Sequence, residues 1–213
     1  MPEPFAGSVN PTAGGPGGLA RRVFSYRLAI GLVFVAIGAF IARPDTLWGE
    51  FKTIGVIGSI LMIALGMALR YWAAGSAGTH THSAHIEGPR LATGGPYAFV
   101  RNPIYLGSMV LGLGMVGVIG DARLIPLYVA AFVFLYAFLI PAEERFLRQK
   151  FGPEYDSYRA AVPRIIPRWR AWPGKASGRF HWEAARGELH LLTVLVGIYG
   201  VLQLGAWARE ALR

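Results

Sequence analysis

Hydrophobic residues are concentrated in five segments of the chain, and polar stretches separate them. A helix needs about 20 apolar residues to cross a hydrocarbon core about 30 Å thick. Two of the segments, the first and the third, are short for this purpose, so we expect them to stand upright or to thin the bilayer. The segments are Tyr26–Ala42, Thr53–Trp72, Ile104–Ile119, Leu124–Pro141 and Leu189–Ala208. The pattern predicts an all-α fold, a polytopic transmembrane helix bundle of about five spans.

The polar stretches indicate how the chain is divided. Residues 1–20 contain four prolines and five glycines without apolar periodicity, which predicts a disordered tail. Residues 21–72 are expected to hold the first two spans. Residues 73–170 form the predicted core, with two polar stretches around a helical hairpin. Residues 171–213 are then a linker and a final span.

The third and fourth segments are joined by only a few residues. Gly120–Arg123 is short enough to make these two spans a tight antiparallel hairpin. We expect Pro141 to end the fourth span, because proline cannot donate the helical hydrogen bond.

Composition and charge support a membrane protein and indicate its orientation. Hydrophobic residues make up 54% of the chain and charged residues 15%, whereas soluble domains carry about 25% charged residues. The net charge of +9 fits nucleic acid or an anionic membrane surface, and the apolar segments favour the membrane. With the N-terminus inside, 16 of the 21 Lys and Arg residues lie in inside segments, as expected for the cytoplasmic face. The chain has no cysteine, which excludes disulfides and thiolate chemistry.

One glycine motif resembles a dinucleotide fingerprint. Gly112-Leu-Gly-Met-Val-Gly117 matches G-x-G-x-x-G, but that fingerprint needs a preceding strand, and here the motif lies inside an apolar span. Close helix packing through small residues is the better interpretation. The sequence therefore argues against a Rossmann domain.

Three histidines, His80, His82 and His85, form an H-x-H-x-x-H pattern. Imidazoles are common metal ligands, but the only acidic residue nearby is Glu87. A polar loop near a ligand and a plain solvated loop are the other two interpretations.

Two stretches beside the predicted spans carry the most specific residues. The first, Gly94–Gly107, reads on its own as a turn followed by a helix start, with Pro103 at the first helical position and Asn102 as its cap. The second begins with Glu143 and Glu144, directly beneath a span. Carboxylates are costly to dehydrate there, so their presence usually indicates a function. The simpler alternative is an amphipathic helix in which Glu144 pairs with Arg148.

Together the two stretches resemble the isoprenylcysteine carboxyl methyltransferase and phospholipid methyltransferase superfamily of membrane enzymes. The family pattern is Arg-His-Pro-x-Tyr-x-Gly, a hydrophobic hairpin, a Glu-Glu pair, Phe-Gly-x-Glu-Tyr-x-x-Tyr and Val-Pro-Arg. Its elements occur in order between about Thr79 and Pro167. Asn102 stands where the pattern has histidine, which keeps hydrogen bonding but removes protonation. The last span, from Leu189, looks like an addition.

The resemblance implies S-adenosylmethionine as cofactor, in a pocket capped by the cytoplasmic segments and built without a Rossmann sheet. It implies cofactor contacts at His82, Pro89, Arg90, Leu91, Ala92, Tyr97, Asn102, Pro103, Ile104, Tyr105 and Glu143. A carboxylate such as Glu143 suits the ammonium group of the cofactor, and aromatic rings suit its adenine and sulfonium. Arg101, Glu144 and Arg164 are the candidate catalytic residues, and we assign no metal ligand.

The implied methyl acceptor is a lipid-like or prenylated molecule that enters from the bilayer. An isoprenylcysteine-type carboxylate is the leading candidate and a lipid amine the alternative. In the protein-methylating branch we expect an arginine four residues before the first glutamate, and this chain has Leu139 there. Arg145, Arg159 or Arg164 would have to replace it.

Two other classes of function remain open at this point. One is a non-catalytic membrane adaptor that keeps the fold, and the other is a membrane reductase with a nicotinamide cofactor. Cofactor binding separates them from a methyltransferase. The sequence indicates no nucleic-acid partner, and it leaves the oligomeric state open.

Overall fold

The computed structural model describes Ala29 and residues 32–42, 47–77, 90–174 and 180–211. In these residues the regular structure is helical throughout. The helices are α1 Leu32–Ile41, α2 Lys52–Ala77, α3 Pro103–Ile119, α4 Leu124–Phe151, α5 Pro153–Ala161, α6 Trp182–Gly187 and α7 His190–Ala211. Two short 3-10 turns, Gly49–Phe51 and Gly95–Ala98, precede α2 and α3.

The helices confirm an all-α membrane bundle. Three helical stretches are long and apolar enough to cross a membrane, namely Gly49–Ala77, Leu124–Phe151 and Trp182–Arg209. Two shorter apolar helices, α1 and α3, lie in the first and third predicted segments. With 17 residues, α3 rises only about 25 Å, which agrees with the short span that the sequence predicts.

Helices α2 and α3 form the most extensive helix pair, and small residues allow their close approach. A Cβ added to Gly66 would lie 2.7 Å from the carbonyl oxygen of Gly107, and one added to Gly114 would lie 2.7 Å from that of Ser59. A Cβ at Gly117 would meet the hydroxyl of Ser59 at 2.1 Å. The glycine motif in α3 is therefore a helix-packing surface, as predicted.

The tight hairpin between α3 and α4 is also confirmed. Gly120 ends α3 with a φ of 76°, a left-handed conformation that favours glycine. The carboxylate of Asp121, which is 1% exposed, accepts hydrogen bonds from the backbone and guanidinium of Arg123 at 2.7–3.0 Å. This reverses the chain in four residues.

The hairpin lies at one end of the bundle, which we call the hairpin end. Here the last residues of α1 and α3 meet the first residues of α4 and one face of α7, in a cluster of Ala42, Val116, Ile119, Leu124 and Leu202. Arg209, near the end of α7, donates to the carbonyl groups of Ala39 and Ala42. The described helices therefore alternate in direction, and both polar stretches reach the other end, the site end.

The prediction that Pro141 ends the fourth span is wrong. Helix α4 continues through Pro141 to Phe151 and ends at Gly152, whose φ is 52°. Proline removes the hydrogen bond of its own nitrogen, while the bonds on either side can continue the helix. The long helix carries Glu143 and Glu144 beyond the apolar segment, so they stand on a rigid element at the site end.

We expect the site end to face the cytoplasm, because most Lys and Arg residues lie in its segments. Since the chain has no cysteine, single cysteines can be introduced cleanly. A cysteine at Ser157, exposed on α5, should react with an impermeant maleimide only from the cytoplasmic side, and one at the exposed Ala122 only from outside. Labelling of both positions from the same side would contradict the arrangement.

Candidate active site

Residues 163–172 form an irregular segment with bends, here called the strap, that runs beside the residues leading into α3. The amide of Arg101 donates to the carbonyl of Pro163 at 2.9 Å, and the amide of Arg168 to that of Phe99 at 3.0 Å. A third bond joins the amide of Trp172 to the carbonyl of Ala98 at 2.9 Å. These contacts bring the two polar stretches together over the end of α4.

Glu144 is the centre of an ion cluster beneath the strap. Its two carboxylate oxygens accept from the guanidinium of Arg164 at 3.0 and 2.6 Å, and Arg101 approaches to 3.4 Å. The side chain of Glu144 is 7% exposed and that of Arg101 is 11% exposed, while Arg164 is about half exposed. A carboxylate held in this way ties three chain segments together.

Asn102 contributes to the same clamp. It precedes α3, as predicted, but its side chain does not cap the helix. The side-chain amide donates instead to the carbonyl of Arg164 at 3.0 Å. Arg148 likewise pairs with Asp156 at 3.0 Å, so the simpler pairing of Glu144 with Arg148 is not formed. The strap thus provides Arg164 as the partner of Asn102 and Glu144, whereas α5 provides the partner of Arg148.

Glu143 has a different environment from its neighbour, as their separation of about 100° around the helix requires. The hydroxyl of Tyr105, in the first turn of α3, donates to one oxygen of the Glu143 carboxylate. The ring of Tyr105 packs on that of Tyr136 at a centroid distance of 4.5 Å, and Tyr136 packs on Phe132 at 4.2 Å. Glu143 thus lies at the end of an aromatic column that descends along α4.

Tyr97 lies in the 3-10 turn that leads into α3. Gly95 permits this turn, because its φ is 58° and an added Cβ would lie 2.4 Å from the hydroxyl of Ser76. Burial raises the pKa of Tyr97 above its usual range, and Tyr158, Glu143 and Glu188 raise it further. The hydroxyl therefore stays protonated at neutral pH and can act as a hydrogen-bond donor.

The residues behind the strap form a packed aromatic floor. Leu91, Tyr155, Tyr158 and Val162 make a buried cluster, and the hydroxyl of Tyr158 donates to the carbonyl of Tyr97 at 2.8 Å. Burial raises the pKa of Tyr155 to about 12, and the nearby Glu144 adds to this. The floor holds the Tyr97 turn in place.

Comparison with known proteins identifies the kind of enzyme to which this site belongs. A probable protein-S-isoprenylcysteine O-methyltransferase of Oryza sativa is 33% identical over 126 residues, which cover 55% of this chain and 63% of that protein. The model of the phospholipid methyltransferase family matches residues 54–154, which include the Tyr105–Glu143 contact. These matches indicate a membrane methyltransferase whose residues 54–154 are similar to this family. The resemblance noted from the motifs is confirmed.

Two further relatives match more of the chain. The nickel-cobalt-cadmium resistance protein NccN of Alcaligenes xylosoxydans is 26% identical over 193 residues, covering 90% of this chain and 85% of that protein. The cobalt-zinc-cadmium resistance protein CzcN of Cupriavidus metallidurans is 28% identical over 179 residues, covering 82% and 80%. No solved structure matches the methyltransferase.

The structure groups the predicted site residues in two sets. One set contains the candidate cofactor contacts around Glu143, and the other contains the candidate catalytic residues, which form the clamp around Glu144. The first set comprises Tyr97, Tyr105 and Glu143, and the second Arg101, Glu144 and Arg164, joined by Asn102.

The remaining predicted contacts are more scattered. Pro103 is buried at the start of α3 and Ile104 is half-buried beside it. Leu91 belongs to the aromatic floor, Ala92 is half-buried and Arg90 is exposed. His82 and Pro89, together with His80 and His85, lie outside the described residues.

Three residues that lie beside the candidate site residues are not among those predicted from the sequence. Tyr136 follows Phe132 by four positions, and this spacing places both rings on one face of α4. Arg70 is an ionisable residue inside a long apolar helix, and this placement is the signal in the sequence that could have identified it. Glu188 lies at the start of the last span, outside the family motifs.

The structure suggests a division of labour within the methyltransferase. Glu144 is engaged by two arginines, so it stabilises the strap, and Glu143 is the carboxylate bonded by the Tyr105 hydroxyl. We expect Glu144→Gln to lower the free energy of unfolding by roughly 1–3 kcal/mol, since it leaves the mostly buried Arg101 without its anion. Thermal unfolding in detergent measures this. The exposed Glu154→Gln is the control, and equal melting temperatures for the two variants would contradict the clamp.

Proposed function

We propose that the protein transfers a methyl group from S-adenosylmethionine to a lipid-like acceptor at the cytoplasmic face of the membrane, with an isoprenylcysteine-type carboxylate as the leading acceptor. The observation that carries this proposal is the Glu143 carboxylate, held by the hydroxyl of Tyr105 at the end of a spanning helix. The names of the methyltransferase relatives support it.

The residues around Glu143 suit S-adenosylmethionine. The Glu143 carboxylate can accept from the ammonium group, and the rings of Tyr97 and Tyr105 offer faces for a sulfonium cation. Exposed donors at the same end, such as Arg90, can reach a carboxylate. When bound, the cofactor supplies a methyl group already activated by its sulfonium. The chain then has to align the acceptor and exclude water.

A carboxylate acceptor places few demands on the chain, because it is ionised at neutral pH and needs no general base. It does need a cation. Arg164 is our candidate for this cation, because its guanidinium is about half exposed although it is bonded to Glu144. In this proposal the exposed part of Arg164 binds the acceptor carboxylate.

A lipid amine is the second candidate acceptor, and one observation favours it. Leu139, one turn before Glu143, is only 6% exposed and packs inside the protein. No arginine therefore stands in the place where the protein-methylating branch is expected to have one. An amine would be attracted by the negative charge of the Glu143 carboxylate rather than bound by an arginine, and it would have to lose a proton during transfer.

The resistance to divalent metals in the names of NccN and CzcN does not enter the proposal. Within the described residues, no group of three His, Asp or Glu side chains is arranged to hold a metal ion. We therefore base the proposed activity on the carboxylate and aromatic groups.

Transfer of a radiolabelled methyl group tests the proposal. Purified protein in nanodiscs would be incubated with labelled S-adenosylmethionine and either an S-farnesylated cysteine derivative or phosphatidylethanolamine. Base-labile label in the farnesylated product supports the carboxylate, and base-stable label in the phospholipid supports the amine. Absence of transfer to both acceptors, with S-adenosylmethionine bound, would contradict the proposed acceptors.

A further inference from the structure

A second buried carboxylate lies at the site end, and it comes from the last helix of the chain. Glu188, directly before α7, is 2% exposed. The Nε atom of Arg70, in α2, donates to its Oε2 atom at 2.7 Å, and a second guanidinium nitrogen of Arg70 lies 2.5 Å from the same oxygen. The Arg70 side chain is 15% exposed. A charged pair of this kind is costly to bury and is held by the bundle in one geometry.

The chain segment before Glu188 is fixed to the same part of α2. The amide of His181 donates to the carbonyl of Gly75 at 2.8 Å, and the ring of Phe180 packs on that of Tyr71 at 6.1 Å. An added Cβ at Gly75 would meet the Phe180 ring at 2.1 Å. The last helix is thus anchored at the site end by side-chain and backbone contacts.

Arg70 connects Glu188 to the first turn of α3. Its Nη1 atom donates to the carbonyl of Ile104 at 3.3 Å and to the hydroxyl of Ser108. Ser108 in turn donates to the same Ile104 carbonyl at 2.9 Å. The guanidinium therefore binds the last helix on one edge and α3 on the other, which a planar group with several donors does well.

The turn that Arg70 holds is the one that carries the candidate site. Ile104 directly precedes Tyr105, whose hydroxyl donates to Glu143. Tyr97 lies in the turn before α3, where burial, Tyr158 and the charges of Glu143 and Glu188 raise its pKa. A shift of Arg70 would move the Tyr105 hydroxyl relative to α4.

We propose that Glu188 and Arg70 are positioning residues of the methyltransferase, which lock the first turn of α3 so that Tyr105 can hold the Glu143 carboxylate for the cofactor. The last helix, which lies outside the family match at residues 54–154, is then a working part of the site. The inference is tested in two ways. The measurement of cofactor affinity rests on the proposed binding of S-adenosylmethionine, whereas the measurement of thermal stability does not.

The first test measures cofactor affinity with a matched control at the hairpin end. Glu188→Gln should weaken binding of S-adenosylmethionine about tenfold, since one charge-assisted bond that orients the turn is lost. Asp121→Asn removes an equally buried carboxylate from an arginine pair far from the site. It should lower the melting temperature and leave the affinity unchanged. Ser108→Ala leaves the Arg70–Glu188 pair intact, so it should also weaken binding, but less. It replaces Glu188→Gln in this test if that variant does not fold.

The second test needs no cofactor. In a double-mutant cycle of thermal unfolding, Glu188→Gln and Tyr105→Phe should lower the melting temperature by less together than the sum of their separate effects. Asp121→Asn and Tyr105→Phe should simply add. Additive shifts in both pairs, or equal affinities for the wild type and Glu188→Gln, would overturn the inference. A wild type that binds no S-adenosylmethionine would instead contradict the proposed function. The double-mutant cycle would then still show whether Glu188 and Tyr105 are coupled.

Discussion

Glu143→Gln is expected to weaken binding of S-adenosylmethionine by about ten- to a hundredfold. The substitution keeps the shape of the side chain but removes the charge that we propose to bind the ammonium group of the cofactor. A charge-assisted hydrogen bond contributes roughly 1.5–3 kcal/mol, which corresponds to this range of affinity. Isothermal titration of the detergent-solubilised protein measures the change.

Two controls separate this effect from a general loss of structure. Glu144→Gln should lower stability but reduce cofactor affinity less, because Glu144 is occupied by Arg164 and Arg101. The exposed Glu154→Gln should change neither property. If Glu144→Gln weakened binding more than Glu143→Gln, the cofactor would have to lie against the clamp and not against Tyr105.

Shortening the hydrocarbon tail of the acceptor by one five-carbon unit should reduce kcat/KM at least tenfold. Each buried methylene contributes about 0.8 kcal/mol, so complete burial of the unit would give more, and partial burial lowers the figure. The aromatic column of Phe132, Tyr136 and Tyr105 provides an apolar path from within the bundle to Glu143. A series of S-prenylated cysteine derivatives with increasing tail length, assayed in nanodiscs, measures the dependence.

Two phenylalanines of α4 make a matched pair for this series. Phe132 is half-buried in the column, whereas Phe134 is 48% exposed at the surface of α4. Phe132→Ala should flatten the dependence on tail length, and Phe134→Ala should leave it as in the wild type. Equal rates for tailless and long-tailed acceptors would exclude entry through the bilayer.

The apolar pattern of the sequence predicted the helices well, because hydrophobic length is set by the thickness of the membrane. Every described apolar helix overlaps a predicted segment, although α2, α4 and α7 extend beyond it, and the glycines of α3 pack as expected. The end of α4 was missed, since the proline rule describes the loss of one hydrogen bond and does not include the contacts that Glu143 and Glu144 gain farther along the helix.

The candidate site residues were predictable from the sequence only where they belong to a local motif. Asn102, Tyr105 and Glu143 belong to recognisable motifs, and they lie at the same end of the bundle in the structure. The pairing of Glu144 with Arg164 depends on the path of the strap, which follows from long-range backbone bonds. Arg70 and Glu188 are 118 positions apart, and nothing local in the sequence indicates that α7 returns to α2.

Titration of the purified wild-type protein with S-adenosylmethionine, with NADPH as the comparison ligand, tests the central claim most directly. We expect S-adenosylmethionine to bind at one site per chain, Glu143→Gln to weaken this binding, and NADPH to give no heat of binding. Binding of NADPH, or no binding of S-adenosylmethionine to a wild type that unfolds cooperatively, would contradict it.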